Sequence, residues 1–301
     1  MPGPLPFRPD LSNRGHTTSG HHVIGRLFDA PPSGTSGSRR LARLWLEGVS
    51  YTSCALLMAN AFGIPQAGFF AVFLAAAGLA ARFEAILEEN RRDILLGVLG
   101  SPRSNGKTAA SVLALFLGSF SAFSAAALWI GEARMSHSFA FVLDVADLGH
   151  DTILTRPFAS APALFVHNAV VLLAFVALSA VYRAYGALLA LEWNACIWAL
   201  VLTFLVRRGM TGSSLPPALF VLMAAVAVLP HLILEAGAYI AGSLAAIFLS
   251  KGLMKYDPTD PVLRDVMRAV ASLAAVAIIA LLLGAVVEAS LPRFVLSSLG
   301  R

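Results

Sequence analysis

Residues 216–250 read PPALFVLMAAVAVLPHLILEAGAYIAGSLAAIFLS. In 35 consecutive positions there is one carboxylate, Glu235, and one imidazole, His231, and nearly everything else is aliphatic, aromatic or small. A straight helix of this length would be about 52 Å long, more than the roughly 30 Å hydrocarbon core of a bilayer requires. Pro230 removes a backbone donor and is expected to kink or break it, so the stretch reads as one kinked span or as a re-entrant segment. His231 and Glu235 are four apart and share a helix face, and Tyr239 continues that face. A carboxylate at bilayer depth is costly unless it is paired and turned inward. Gly237, Ala238, Ala241 and Gly242 supply the small-residue spacing that lets another helix approach closely.

The rest of the chain has the same character. Of its 301 residues 57% are hydrophobic and 13% charged, about half the charged share of a soluble domain, and the mean hydropathy is +0.75. The apolar runs are long and continuous, unlike the short alternating segments of an outer-membrane barrel. The expected fold is an all-α polytopic transmembrane bundle of about seven spans, near residues 44–62, 67–83, 108–130, 162–182, 187–206, 216–250 and 268–290. Gly63-Ile64-Pro65-Gln66 is a turn signal between the first two, and Asp260-Pro261 opens the last helix. Residues 1–37, rich in Pro, Gly, Ser and His, read as a disordered cytoplasmic tail. Residues 38–107 read as an interfacial helix, a two-span hairpin and a cytoplasmic amphipathic helix. A five-span core follows over 108–292, with a short surface helix expected in the 131–161 loop.

The net charge of +5 invites a nucleic-acid reading. The arginines flank the apolar runs, however, so topology explains it and no nucleic acid is expected. With the N-terminus inside, 16 of the 22 basic residues fall on the cytoplasmic side, leaving Arg134, Arg156, Arg207, Arg208, Arg293 and Arg301 outside. This points to a multi-pass protein of the cell inner (plasma) membrane with a cytoplasmic N-terminus. Cys54 and Cys196 lie inside apolar runs and read as packing residues.

Gly100 to Thr108 (GSPRSNGKT) resembles a phosphate-binding loop, but five residues separate Gly100 from Gly106 where that loop has four. It also follows an amphipathic helix rather than a strand, and reads as a turn whose Lys107 anchors the third span. The buried polar network centred on His231 and Glu235 has further candidates in His167, Asn168, Glu192, Asn194 and Glu288. Such a network can fix helix packing, line a proton, ion or substrate path, or serve as a hydrolytic site. No metal or cofactor is expected, since there is no His-Glu-x-x-His motif. On residues 84–107, Ile86, Leu87, Ile94, Leu95, Val98 and Leu99 form an apolar set beside Glu88, Glu89, Arg91, Arg92 and Asp93. That helix is too acidic for a device that only rests on an anionic membrane, so it is expected to dock a cytoplasmic partner.

Four segments taken in order, Phe165-Val-His167-Asn168, Glu192-Trp-Asn194, Pro230-His231-Leu-Ile-Leu-Glu235 and Gly284-Ala-Val-Val-Glu288-Ala-Ser-Leu-Pro292, resemble the stage II sporulation protein M family. Leu232 stands where that family usually has Gly, and Ala195 where Gly commonly follows the Asn. The resemblance covers about 108–292 and implies a five-helix membrane core serving as a scaffold of a cell-envelope complex. Residues 38–130, with Leu87-Glu88-Glu89, Ile94-Leu95-Leu96 and Ser101-Pro102-Arg103, are more weakly similar to the start of type-2 ABC exporter permeases. The expected function is a non-enzymatic membrane subunit or scaffold, in contact with the lipid bilayer and other membrane or envelope proteins, with self-association open. The alternatives are a permease subunit driven by a separate cytoplasmic ATPase and, third, an intramembrane metal-dependent hydrolase.

Overall fold

The computed structural model describes residues 37–95, 100–145, 160–212 and 215–299, and every regular element among them is an α-helix. The tail, with His16, His21 and His22, lies outside the described residues, as do Val98, Leu99 and the acidic stretch of the 131–161 loop from Asp147 onward. In chain order the elements are α1 (Gly37–Ala61), α2 (Ala67–Leu95), α3 (Ser101–Trp129), α4 (Glu132–Ser138), α5 (Ala140–Val145), α6 (Ala161–Gly212), α7 (Pro217–Lys255) and α8 (Pro261–Leu299).

Among the described residues five helices are long and apolar enough to cross a membrane, over Ala67–Ile94, Ser101–Trp129, Ala161–Arg207, Pro217–Lys255 and Pro261–Pro292. By length and composition that is fewer than the expected seven, for two physical reasons. The first half of α1 carries Arg39, Arg40, Arg43 and Glu47, which dilute its apolar character. And the fourth and fifth expected spans form one helical run broken only at Arg183, whose φ of 53° and ψ of −126° are not helical. The chain reverses there: a Cβ on Gly186 would lie 2.1 Å from the Leu178 carbonyl oxygen, although eight residues of straight helix would separate the two by about 12 Å. Only a residue without a side chain lets the two limbs of α6 touch backbone to backbone.

Helix α1 buries Leu44, Gly48, Thr52, Ala55, Leu56 and Ala59, a stripe at the three-and-four spacing of one helix face. It packs on α2 and α3. At the α1–α3 crossing a Cβ on Gly118 would fall 2.1 Å from the Trp45 carbonyl oxygen and one on Gly48 2.3 Å from that of Leu115, so the two glycines permit direct backbone contact. Between α1 and α2 the chain turns at Gly63 with φ +61°. The Gly63 amide donates to the Asn60 carbonyl and the Ile64 amide to that of Ala59, a left-handed glycine ending that satisfies the last carbonyls of the helix.

Helix α2 does not stop at residue 83, where the second span was expected to end. Its 29 residues amount to about 43 Å of helix, so the amphipathic segment is its direct extension. Helix α3 likewise begins at Ser101 rather than 108, with Gly100 left as the break. Helix α7 runs through Pro230 as one 39-residue helix, neither broken nor re-entrant. Helices α4 and α5 occupy the start of the 131–161 loop. They are anchored in the core rather than laid on a surface: Met135, Phe139 and Val142 are buried, and Phe141 packs against Phe69 and Trp193 at ring-centroid distances of 5.4 and 5.2 Å.

Helix α6 is the keystone. It contacts α2 and α3 on one side and α7 and α8 on the other, while α7 and α8 pack along each other. One end of the bundle collects the charges. Glu89 accepts from Arg40 at 2.6 Å and from Lys107 at 2.7 Å, Lys107 also reaches Asp93 at 2.9 Å, and Lys251 reaches Glu84 at 3.3 Å. The Arg183 reversal lies there too, its guanidinium 2.9 Å from Met254 Sδ. At the opposite end Arg207 donates to the Leu128 and Ile130 carbonyls at 2.8 and 2.9 Å. It caps the C-terminus of α3, where a cation is favoured by the exposed carbonyls.

Candidate functional site

The two limbs of α6, together with α7 and α8, each contribute part of the predicted polar network. Asn168 Nδ2, on the first limb, donates to Glu235 Oε1 on α7 at 2.5 Å. The Glu288 carboxyl, on α8, lies within hydrogen-bonding reach of that of Glu235. Gly284, one turn before Glu288, brings α8 onto this face, where its Cβ position is 3.4 Å from Glu235 Cγ. Two carboxylates so close cannot both stay charged unless a proton or another cation lies between them.

His231 sits one turn before Glu235 and is 8% exposed. The expected His231–Glu235 pairing is not made; Glu235 turns instead to Asn168 and Glu288. The Ala227 carbonyl, one turn back, interacts with the His231 ring, but no partner meets Nδ1 at hydrogen-bond geometry. His167 is exposed.

These five side chains surround one end of a cavity of about 460 Å³ whose remaining walls are apolar, among them Leu164, Trp198, Leu205, Phe220 and Met223. Leu164 and Phe220 lie in the first turns of α6 and α7, and Leu205 lies two residues before Arg207. The cavity therefore runs inward from the end of the bundle opposite the charged cluster and reaches the carboxyls partway down. Among the described residues that line it there is no Lys or Arg. Among the described residues no three His, Cys, Asp or Glu side chains are grouped as metal ligands would be.

Three predicted members of the network lie elsewhere. Glu192 is fully buried on the opposite side of α6, accepting from Ser119 at 2.6 Å and from Thr52 at 3.4 Å, with Thr52 also donating to Ser119 at 2.9 Å. This second polar centre ties α1 and α3 to α6. Thr52 and Ser119 escaped the sequence reading because a hydroxyl in an apolar helix can bond its own i−4 carbonyl; the only signal was their place one turn from Gly48 and one residue from Gly118. Asn194 donates to the Ala190 carbonyl of its own helix at 3.1 Å. Tyr239 is stacked on Phe175 with centroids 4.6 Å apart and lies 6.1 Å from the cavity wall residue Trp198, so it stands behind the cavity rather than lining it.

Of the predicted packing residues, Ala238 and Ala241 are buried, and Gly242 faces Leu172, whose Cδ1 is 2.6 Å from the Cβ position. Gly237 has nothing within 4 Å of its Cβ position and permits no close approach. The residues expected to dock a partner divide. Glu89 and Asp93 point inward to Arg40 and Lys107, Ile86 and Leu87 are buried in the bundle, and only the Glu88–Arg91 pair and Arg92 remain exposed. In the loop-like segment, Gly106 and Lys107 are helical, and the Lys107 amine is already committed to two carboxylates. An unforeseen ion pair joins α1 to α2, Arg82 forking onto Glu47 at 2.5 and 2.7 Å. Set against known proteins, the chain matches no family model, no curated protein and no solved structure.

Proposed function

We propose that this chain is a non-enzymatic, multi-pass membrane protein whose α6–α8 half binds and passes a ligand through the cavity floored by Glu235 and Glu288. In this reading both limbs of α6 cross the bilayer, and α1 crosses beside α2 and α3. The charged end faces the cytoplasm of the inner membrane, because basic residues are retained on that side. The cavity then opens toward the opposite face.

The observation that carries the reading is the pair of carboxyls at the foot of a largely apolar cavity. Each acidic residue at the centre of a spanning helix costs on the order of 2.5–3.5 kcal/mol to insert. Packing α7 against α8 needs neither, since apolar residues of the same volume would fill the space. The scaffold role implied by the sporulation-protein resemblance needs no cavity at all. The ATPase-driven alternative loses two of its docking charges, Glu89 and Asp93, to internal ion pairs.

Accessibility tests the reading. A single cysteine at Ala224, which lines the cavity, is introduced into a chain with Cys54→Ala and Cys196→Ala and reconstituted in liposomes. A charged, water-soluble methanethiosulfonate is expected to modify it, from the face opposite the charged end. A cysteine at Ala224 that stays unmodified from both faces, in protein that is otherwise correctly assembled, would remove the ligand-handling reading.

A further inference from the structure

The reading of the cavity as a ligand site leaves the ligand's chemistry open, and the walls restrict it. Resting on that reading, we infer that the cavity takes an amphipathic amine: a protonated ammonium seated at Glu235 and Glu288, with an apolar body lying along Trp198, Leu205, Phe220 and Met223.

Charge is the first argument. Two carboxyls face each other, and among the described residues no Lys or Arg lines the cavity. Asn168 gives Glu235 a hydrogen bond but no charge, and His231 makes no ion pair with either carboxyl. A proton shared between the carboxyls leaves one negative charge and holds a place that an ammonium can take, so the pair selects a cation and rejects phosphates and carboxylates. The second argument is the unpartnered Nδ1 of His231, on a side chain only 8% exposed that lines the same cavity. A buried polar atom with no partner is destabilising unless something else satisfies it, and a ligand with a polar group beside its ammonium would do so. Size is the third. About 460 Å³ falls within the range of roughly 300–1,000 Å³ typical of organic-ligand sites and far exceeds what a bare inorganic cation fills. The walls offer such an ion no further oxygen cage, whereas Trp198 and Phe220 suit an apolar body and can attract a cation through their ring faces.

An ammonium on an apolar body can come from two sources, a soluble amine or the ethanolamine headgroup of a lipid. The full chain in phosphatidylcholine nanodiscs is titrated with para-fluorophenyl-butylamine and, separately, with para-fluorophenyl-butanol, and fluorine NMR reads the bound signal. Saturable binding of the amine is expected, with the alcohol about tenfold weaker or more. Glu235→Gln with Glu288→Gln is expected to reduce amine affinity at least about tenfold, while Asp265→Asn, far along α8, leaves it unchanged. Should the double variant fail to fold, Ala224→Phe, which fills the cavity without touching the carboxyls, is expected to abolish binding. Replacing the lipid by phosphatidylethanolamine separates the sources: competition with the amine assigns the site to a lipid headgroup, and no competition assigns it to a soluble amine. Equal binding of amine and alcohol, or amine binding untouched by both variants, overturns the inference. That result together with a water-reactive cysteine at Ala224 would leave the cavity as a ligand site of other chemistry; an unreactive cysteine would remove the site itself.

Discussion

Glu235 concentrates the consequences of placing charge in an apolar interior. Its carboxyl holds Asn168 on one side and meets Glu288 on the other. Replacing it by Gln keeps the shape and both kinds of hydrogen-bonding group while ending the conflict between two adjacent acidic groups. Replacing it by Leu strands the Asn168 amide and the Glu288 carboxyl without a partner, and a buried group left unsatisfied costs about 1–3 kcal/mol. Glu235→Gln is therefore expected to melt in detergent at or above the temperature of the parent chain, and Glu235→Leu clearly below it. Identical melting of the two variants would mean that Glu235 does not hold the network together. His231→Ala gives up no hydrogen bond of good geometry and should shift the transition less than Glu235→Leu.

At the scale of elements, the contacts that position the site are backbone approaches made where a side chain is absent. In lipid there is no hydrophobic drive to bring helices together, so close packing and interhelical hydrogen bonds carry the association. The α1–α3 crossing is made at Gly48 and Gly118, and immediately beside it Thr52 and Ser119 deliver their hydroxyls to Glu192. Gly118→Leu would drive a side chain into the Trp45 carbonyl, and overpacking of this kind costs about 1–3 kcal/mol. Because the two helices must then separate, the Glu192 bonds are lost as well. The expected outcome is a large fall in thermal stability in detergent, while Gly106→Leu, whose Cβ position is open, leaves stability within about 0.5 kcal/mol. The end of α2 makes the complementary point. Charges that read as a docking face in isolation are consumed by neighbours, because Arg40 and Lys107 come from helices that fold back beside it.

For the whole molecule, the pairings at the charged end gather the start of α1, the end of α2, the start of α3, the Arg183 reversal and the end of α7 on one side. These are the segments that the distribution of basic residues assigns to the cytoplasm. Arg207, one of the residues that runs against that distribution, is held as a cap on α3. A membrane-impermeant maleimide should therefore label a cysteine at Arg134 in intact cells and leave one at Arg103 unlabelled until the cells are opened. Both positions are exposed, whereas Ser104 is fully buried and would report nothing. Labelling of Arg103→Cys but not Arg134→Cys would invert the proposed orientation.

The amino-acid sequence by itself determined that the chain is helical and apolar enough for a membrane, and that Asn168, His231, Glu235 and Glu288 are out of place in such helices. Polar residues are legible there because each departs from a uniform background. The tertiary structure alone decided which of them meet. Helix α7 is apolar around its whole circumference, so no periodicity marks the side that faces α6, α8 or lipid, and azimuth is what separates Glu235, against Asn168 and Glu288, from Glu192 across α6. The same holds for the broken run at Arg183 and for the ion pairs of Glu89 and Asp93. Each depends on contacts between residues far apart in the chain, and local composition carries no information about which helix will arrive beside which.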